Sequence, residues 1–277
     1  MGTRAVSRVV VGHEPLTPNI GSVVSGVDFS SRAAVESCAD ELRALLLDRQ
    51  VLFFRDLGDL RADVQEAFAG VFGVVAPVGD FTPTHLDSTN VEVLHTKGKA
   101  VGTDIWHADR TWHATPPSAT CLYANKVPAV GGDTMWASMT VAVEALDSSL
   151  REHLSKLECV HSWESESHKD TLGEQRYAQM RTKYPPRVRP VIETHPVSGK
   201  PILYVNSLYS TRILGVPQAQ ADALLRYLTS LASVPEYQVR WRWKPGAMAV
   251  WDNWAVQHYA VSDYFPHERI MHRVTVV

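Results

Sequence analysis

Short strand-like runs separated by glycine and proline dominate the chain from about Val91 to its end. They read VEVLH, ATCLYAN, DTMWAS, PILYVN, YQVRWRW, AMAVWDN and RIMHRVTVV. Runs of this length, rich in apolar and β-branched residues and bounded by turn residues, are typical of strands. An isolated pair of short strands buries too little apolar surface to be stable, so many of them must pack as two sheets or close into a barrel. The pattern therefore predicts a mainly β fold.

Helices are expected before and within this β pattern, as inserts. Four segments are predicted to be helical: 33–49, 62–73, 141–157 and 217–233. In the N-terminal part, 51–55 is predicted to be a buried strand and 20–30 a short hairpin. Residues 158–200 are polar and carry few strong signals, so we expect an insert or lid there. No clean linker divides the chain, and we expect a single domain over residues 1–277.

Composition excludes several classes of partner. The chain has 277 residues, with 27 Lys and Arg against 30 Asp and Glu, a formal net charge of −3. Because there is no basic surplus to bind phosphates, we expect no nucleic-acid partner. No apolar run approaches the ~20 residues that span a bilayer, so we expect no membrane partner. The cysteines Cys38, Cys121 and Cys159 are far apart and odd in number, which argues against a disulfide framework and favours a cytoplasmic location.

The strongest local signal for chemistry is the stretch WHAD, which holds His107 and Asp109. Residues i and i+2 of a strand point to the same face, so an imidazole nitrogen and a carboxylate oxygen can converge on one cation. Alone, such a pair is also compatible with a structural role. His258, in WDNWAVQHYAV, supplies a third donor. Two imidazoles and one carboxylate are the ligand set of non-haem Fe(II) oxygenases, but zinc accepts the same donors.

Two arginines in the C-terminal run RIMHRVTVV form a second candidate site. In an extended strand Arg269 and Arg273 lie on one face, opposite His272. Two guanidiniums beside a metal site indicate anion binding, because the planar fork of arginine grips a carboxylate or sulfonate in bidentate fashion. Without the metal site, two arginines on a solvated strand face would be the simpler interpretation.

Several spaced stretches resemble the taurine dioxygenase (TauD/TfdA) family of Fe(II)- and 2-oxoglutarate-dependent dioxygenases. They are WHADRTWHATPPSA, PAVGGDTMWASM, EYQVRWRWKPGAMAVWDNWAVQHYAVSDY and RIMHRVTV, and the similarity runs from about residue 18 to the end. The resemblance implies a double-stranded β-helix, or jelly-roll, core. It also implies His107, Asp109 and His258 as the ligands of the iron.

The resemblance further implies three anion-binding positions. Thr134 matches the threonine that touches the 2-oxoglutarate carboxylate, and Arg269 matches the arginine that clamps the distal carboxylate of this co-substrate. Arg273 matches an arginine that holds the anionic group of the primary substrate in sulfonate-acting members. The implied activity uses Fe(II), 2-oxoglutarate and O₂, oxidises a C–H bond of a small organic substrate and releases succinate and CO₂.

The chain departs from taurine dioxygenases proper where those enzymes bind taurine. Their HxHPVY stretch is replaced by VVAPVGDF, so Ala76 and Gly79 stand where a His and a Tyr are expected. Thr103 replaces a family Asn, and Tyr209 aligns with an aromatic residue of the substrate pocket, although a core tyrosine would explain it equally. A site that lacks polar partners discriminates against the substrate that needs them. We therefore expect a small anionic substrate other than taurine.

Other possibilities remain open from the sequence. Taurine, an alkylsulfonate or an alkylsulfate is the alternative substrate, with release of sulfite or sulfate. A zinc hydrolase would keep the same three ligands, and a non-catalytic binding protein would keep only the scaffold. Residues 79–90 are a candidate lid in which His85 is more simply a surface histidine, and His113 is not expected to bind metal. By analogy with the family, we expect a homo-oligomer, a dimer or a tetramer.

Overall fold

The computed structural model describes residues 11–78, 84–85, 88–97, 103–164, 169–170 and 172–277. The strands are β1 (Gly12–Pro15), β2 (Ser22–Ser25), β3 (Val51–Phe54), β4 (Thr84–His85), β5 (Ser88–Thr96), β6 (Ala119–Lys126), β7 (Thr134–Ser138), β8 (Glu158–His161), β9 (Arg187–Pro190), β10 (Ile192–Thr194), β11 (Pro201–Leu203), β12 (Ser210–Ile213), β13 (Gln238–Trp241), β14 (Met248–Asp252), β15 (Val256–Ala260) and β16 (Arg269–Val276). The helices are α1 (Arg32–Glu36), α2 (Ala39–Arg49), α3 (Ala62–Gly70), α4 (Met139–Glu144), α5 (Ser148–Leu154), α6 (Glu174–Lys183) and α7 (Gln218–Ser230).

Two largely antiparallel sheets form the centre of the fold. The larger has eight strands in the order β1-β2-β3-β14-β6-β16-β5-β4, and only β2 and β3 pair in parallel. The smaller has the order β13-β7-β15. Six of the seven strand-like runs seen in the sequence contain or overlap strands of these two sheets, and the seventh, PILYVN, overlaps β11, which pairs with β10. The predicted mainly β fold is confirmed.

Apolar side chains fill the space between the two sheets. The larger sheet contributes Phe53, Trp251 and Met271, and the smaller one contributes Trp136 and Trp241, all of them buried. The rings of Phe53 and Trp241 stack with centroids 4.3 Å apart. Trp243 also belongs to this core. Burial of such aromatic pairs is the main force that holds the sheets face to face.

The opposite face of the larger sheet is covered by the N-terminal helices. In β3 the side chains of Val51 and Phe53 point to the inter-sheet core, while Leu52 and Phe54 point to the helices. This alternation follows from the two-residue period of a strand, and it explains why the run VLFF is apolar throughout. Phe68 of α3 packs edge-on against Phe54, with centroids 5.1 Å apart. The fold is therefore layered from helices to large sheet to small sheet.

Two predicted helices are each divided in the structure. Residues 33–49 form α1 and α2 with a break at Ser37 and Cys38, and residues 141–157 form α4 and α5. The second break has a clear cause, because the side chain of Asp147 accepts hydrogen bonds from the first backbone amides of α5 and so begins a new helix. The helix predicted over 62–73 ends at Gly70, earlier than expected.

Three further predictions have different outcomes. The buried strand over 51–55 is confirmed as β3, and the helix over 217–233 is confirmed as α7 followed by a 3₁₀ turn. The hairpin over 20–30 is wrong, because β2 pairs with β1, which precedes it, and with β3. Residues 26–30 form no return strand, and Ser31 caps α1 directly after them.

The polar segment 158–200 contains more regular structure than its sequence indicated. Its described residues include β8, α6, β9 and β10, and β8 pairs with both β9 and β12. A lid role for 158–200 and the assignment of residues 1–277 to one domain stay predictions. Among the residues that the structure describes, no helix has both the length and the apolar character needed to cross a bilayer. The cytoplasmic location and the homo-oligomer stay predictions.

Candidate metal centre and its surroundings

Two histidines and one aspartate converge on a small region beside β15. His107 Nε2 lies 3.7 Å from Asp109 Oδ1, and His258 Nε2 lies 3.8 Å from the same oxygen. Two donors that each bond one ion at about 2 Å can lie at most about 4 Å apart, and both separations fall within that limit. Within the described ranges, this is the one group of three or more His, Cys, Asp or Glu side chains with the spacing of a metal site. The structure thus brings together the three residues proposed from the sequence.

Backbone pairing fixes the two imidazoles side by side. The amide of His107 donates to the carbonyl of His258 at 3.1 Å, and the amide of His258 donates to the carbonyl of His107 at 2.7 Å. His107 Nδ1 lies 2.7 Å from the carbonyl oxygen of Ile105, a partner that can only accept. Nδ1 therefore carries the proton, which leaves the Nε2 lone pair free for a metal.

Asp109 is held by the turn between β14 and β15. The side chain of Asn253 accepts a hydrogen bond from the Asp109 amide at 2.8 Å and donates to the Asp109 carbonyl at 3.0 Å. Thr120 Oγ1 donates to Asp109 Oδ2 at 3.1 Å. Because Oδ2 is engaged in this way, Oδ1 is the oxygen that faces both imidazoles. The sequence showed an Asp-Asn turn here but gave no role to Asn253, and no local signal pointed to Thr120.

The protonation states of the three side chains are those of metal ligands. Burial lowers the pKa of His107, and burial together with the neighbouring His107 lowers the pKa of His258 to about 3. Burial alone would raise the pKa of Asp109, but the charges of His258 and Arg273 outweigh it and hold this pKa well below its usual range. At neutral pH the cluster therefore consists of two neutral imidazoles and one carboxylate, the forms that bind a cation.

Arg269 has an unusual environment for a charged side chain, and its partner Thr134 pairs across the smaller sheet with Ala260, two residues beyond His258. It is 7% exposed, and its Nε has no hydrogen-bond partner among the described residues. Its Nη2 donates to Thr134 Oγ1 at 3.4 Å, and Thr134 also accepts from the Trp243 indole at 2.9 Å. Burial lowers the pKa of Arg269 to about 10. A buried guanidinium with a free donor and no carboxylate within 4 Å in the described chain is suited to an anionic ligand.

Arg273, the second predicted anion-binding residue, lies on the same face of β16. Its Nη1 is 3.8 Å from Asp109 Oδ1, and its Nε donates to Glu92 Oε2 at 2.5 Å. Arg110 Nη2 donates to the other oxygen of Glu92 at 2.8 Å. No role for Glu92 or Arg110 was predicted from the sequence. The only available signal was the acidic residue within the otherwise buried run VEVLH.

Almost the whole chain matches one known protein family. Residues 12–275 match the family described as "Taurine catabolism dioxygenase TauD, TfdA family". The chain belongs to the TauD/TfdA family. It is therefore a 2-oxoglutarate-dependent dioxygenase, and enzymes of this kind use Fe(II), 2-oxoglutarate and O₂. The buried ligand triad and the free donor of buried Arg269 fit an iron and a dicarboxylate co-substrate.

Relatives in the TauD/TfdA family cover nearly the whole chain. The chain is 34% identical to an alpha-ketoglutarate-dependent sulfate ester dioxygenase of Pseudomonas putida, over 95% of this chain and 88% of the relative. It is 32% identical to an alkylsulfatase of Acinetobacter baylyi, over 94% and 83%. A crystal structure of a taurine dioxygenase from Burkholderia xenovorans matches with a TM-score of 0.81 and 29% identity, over 96% and 89%. The predicted jelly-roll fold is thereby confirmed.

Aromatic side chains extend from the TauD/TfdA ligand triad towards α6. The Tyr209 ring is 6.2 Å from the His107 ring, and Trp112 lies 6.3 Å beyond Tyr209. Trp112 and Trp163 are buried in one apolar cluster, and Tyr209 packs against it. Burial and the Asp109 carboxylate raise the pKa of Tyr209 to about 12, so its hydroxyl stays protonated. Tyr209 thus lies beside the metal centre and begins an aromatic wall.

The remaining predicted positions, Thr103 and Ala76, are hydrogen-bonded through their backbones to β15 and β16. The carbonyl of Thr103 accepts from the amide of Ala260, two residues beyond His258 in β15. The amide of Ala76 donates to the carbonyl of Thr275, two residues beyond Arg273 in β16. A role of Thr103 and Ala76 in substrate binding stays a prediction.

The candidate lid over 79–90 falls largely on residues outside the described chain, Gly79 included. His85 is described, and its ring lies 4.8 Å from that of His272 rather than at the metal ligands. His113 Nδ1 contacts the carbonyl of Thr115 and does not join the ligand group, in agreement with its exclusion.

Proposed function

We propose that this enzyme oxidises the carbon that carries the ester oxygen of a small sulfate monoester and so releases sulfate. The observation that carries the proposal is the position of Arg273, whose Nη1 is 3.8 Å from Asp109 Oδ1. An oxyanion held by this guanidinium would place the adjoining carbon beside the metal centre. The two relatives named above, at 34% and 32% identity, are described as acting on sulfate esters, which supports the same substrate class.

The chain offers separate partners for the co-substrate and the substrate. Arg269 and Thr134 form a buried donor pair on β16 and β7, suited to the distal carboxylate of 2-oxoglutarate. Arg273 lies four residues further along β16 and next to Asp109, suited to the head group of the substrate. Two dedicated guanidiniums keep the two anions apart, and each removes the cost of burying an unpaired charge.

The surroundings favour an apolar substrate body over the ammonium of taurine. Ala76 and Thr103 stand where polar taurine-binding residues are expected, and the wall formed by Tyr209, Trp112 and Trp163 is aromatic. A small apolar pocket discriminates weakly between alkyl chains but rejects polar groups that it cannot pair. We therefore expect alkyl or aryl-alkyl sulfates to react faster than taurine.

The reaction balances without a further reactant. When bound, Fe(II) with 2-oxoglutarate and O₂ supplies the oxidising chemistry, and one oxygen atom enters succinate while the other enters the substrate. Hydroxylation of the carbon next to the ester oxygen gives a hydroxyalkyl sulfate. Its C–O bond to sulfate then breaks as the new hydroxyl loses its proton, which yields an aldehyde and hydrogensulfate. The chain orients the substrate through Arg273 and shields the site with its aromatic wall.

The proposal is tested with hexyl sulfate as the substrate. With Fe(II), 2-oxoglutarate and O₂, we expect hexanal, sulfate and succinate in equal amounts, and a kcat/KM above that for taurine. His107→Ala should abolish all three products, because it removes a metal donor. His153→Ala is the matched control, since His153 is exposed on α5, and it should retain wild-type rates.

Two outcomes would contradict the proposal. Sulfate release that persists without 2-oxoglutarate or O₂, or that is supported by Zn²⁺ alone, would indicate a hydrolase. A kcat/KM for taurine above that for hexyl sulfate would show that the missing polar partners do not control specificity.

A further inference from the structure

A buried carboxylate links the proposed substrate arginine to the residue that follows the metal ligand Asp109. The side chain of Glu92 is 3% exposed and forms ion pairs with Arg273 at 2.5 Å and with Arg110 at 2.8 Å. Burial of a carboxylate is unfavourable unless charged partners compensate it, and here two guanidiniums do so. Neither the metal centre nor the co-substrate site requires this residue.

The fold places Glu92 opposite Arg273 by strand register. In the antiparallel pair of β5 and β16, Glu92 is the direct cross-strand partner of Arg273. Such partners have neighbouring Cβ atoms, so their side chains reach each other without loss of sheet geometry. Arg110 approaches from the other side, with a φ of 49° that is uncommon for a residue with a side chain. This left-handed conformation is strained for a residue with a side chain, and it accompanies the ion pair with Glu92.

The ion pairs determine which donors of Arg273 remain for a substrate. Nε is engaged by Glu92, while Nη1 lies 3.8 Å from Asp109 Oδ1, at the end of the guanidinium nearest the metal centre. An incoming oxyanion is therefore expected to approach the terminal nitrogen Nη1 rather than Nε. In addition, the four linked groups, two arginines and two carboxylates, have no net formal charge.

We propose that Glu92 is a specificity-determining residue that orients Arg273 end-on towards the metal centre and makes the head-group site selective for monoanions over dianions. The inference rests on the proposed function for the location of the head group. A sulfate monoester brings one negative charge to a balanced cluster, whereas a phosphate monoester brings nearly two. The negative charge of Glu92, buried beside Arg273, opposes each additional charge on the head group.

The test compares binding of hexyl sulfate and hexyl phosphate to the protein loaded with Fe(II) and 2-oxoglutarate without O₂. At pH 8, the wild type should bind hexyl sulfate more tightly than hexyl phosphate. Glu92→Gln removes one negative charge but keeps the size of the side chain, so the preference for sulfate should fall about tenfold, the effect of one further charge at short range. The KM for 2-oxoglutarate should stay unchanged, which a general disturbance of the fold would not allow.

Arg110→Gln provides a second test with the opposite sign. It removes a cation from the cluster and leaves Glu92 with less compensation, so the preference for sulfate over phosphate should increase. Glu268→Gln is the control, because Glu268 is also paired with two basic side chains, His95 and Lys126, but lies more exposed and just before β16. This control should keep the wild-type preference.

The outcomes separate this inference from the proposed function, because binding without O₂ requires no turnover. If hexyl sulfate is not oxidised but Glu92→Gln still shifts the preference, the proposed function fails and the role of Glu92 stands. A preference within threefold of the wild type in Glu92→Gln would overturn the inference. If that variant does not fold, an Arg110→Gln preference that is unchanged or lower than the wild type would overturn it instead.

Discussion

Replacement of Arg269 by methionine should stabilise the ligand-free protein and abolish tight binding of 2-oxoglutarate. The side chain is 7% exposed, and its Nε has no partner among the described residues. Within the described part of the chain, its side chain donates one hydrogen bond, from Nη2 to Thr134 Oγ1 at 3.4 Å. The charged guanidinium is therefore poorly compensated in the ligand-free site and would be better compensated by a bound carboxylate.

The magnitude follows from the pKa and the contacts. Burial lowers the pKa of Arg269 from the ordinary arginine value to about 10, which corresponds to about 3 kcal/mol of unfavourable desolvation. Loss of the long hydrogen bond to Thr134 costs about 1 kcal/mol, so Arg269→Met should raise the free energy of unfolding by about 2 kcal/mol. In the loaded protein, an unpaired buried carboxylate costs about 3–4 kcal/mol, which weakens 2-oxoglutarate binding about 100- to 1,000-fold.

Urea unfolding of the ligand-free protein and titration of 2-oxoglutarate against the Fe(II)-loaded protein measure the two effects. Arg242→Met is the matched control, because Arg242 is exposed and should change neither quantity appreciably. An Arg269→Met variant that is less stable than the wild type and binds 2-oxoglutarate within threefold of it would contradict this prediction. The combination of higher stability and weaker 2-oxoglutarate binding is diagnostic, because replacing a side chain that served only packing would lower the stability.

Two other changes have defined outcomes. Asn253→Ala leaves the backbone groups of Asp109 without partners, so the free energy of unfolding should fall by about 3 kcal/mol and Fe(II) affinity by about 10- to 100-fold, as measured by urea unfolding and metal titration. Burial lowers the pKa of His161 to about 3, below the unfolded value near 6.5, so the unfolded chain takes up the proton first and stability is lost as pH falls between these values. From pH 7 to pH 5 this histidine should contribute a loss of about 2 kcal/mol, and His161→Gln should show a correspondingly shallower pH dependence in urea unfolding.

The strands were predictable because their signal is local. In β3 and β16, alternate residues point to opposite faces of the larger sheet, and the apolar positions in the sequence reflect this two-residue period. The helix boundaries were harder to predict from the sequence, because a single capping side chain can determine where a helix begins. Asp147 divides the segment 141–157 through two hydrogen bonds to backbone amides, although the apolar spacing continues across it. The strands within 158–200 were missed because β8 and β9 pair with each other and are not uniformly apolar.

The sequence alone determined the chemical types at the site and the family of the chain. His107, Asp109 and His258 were recognisable as donors, and Arg269 as an anion-binding residue, because their chemistry belongs to the side chain itself. The structure decided how these groups are held and neutralised. Asn253 supports Asp109 from 144 residues away, and Glu92 meets Arg273 across 181 residues. Contacts at such separations depend on strand register and sheet packing, which no local pattern encodes.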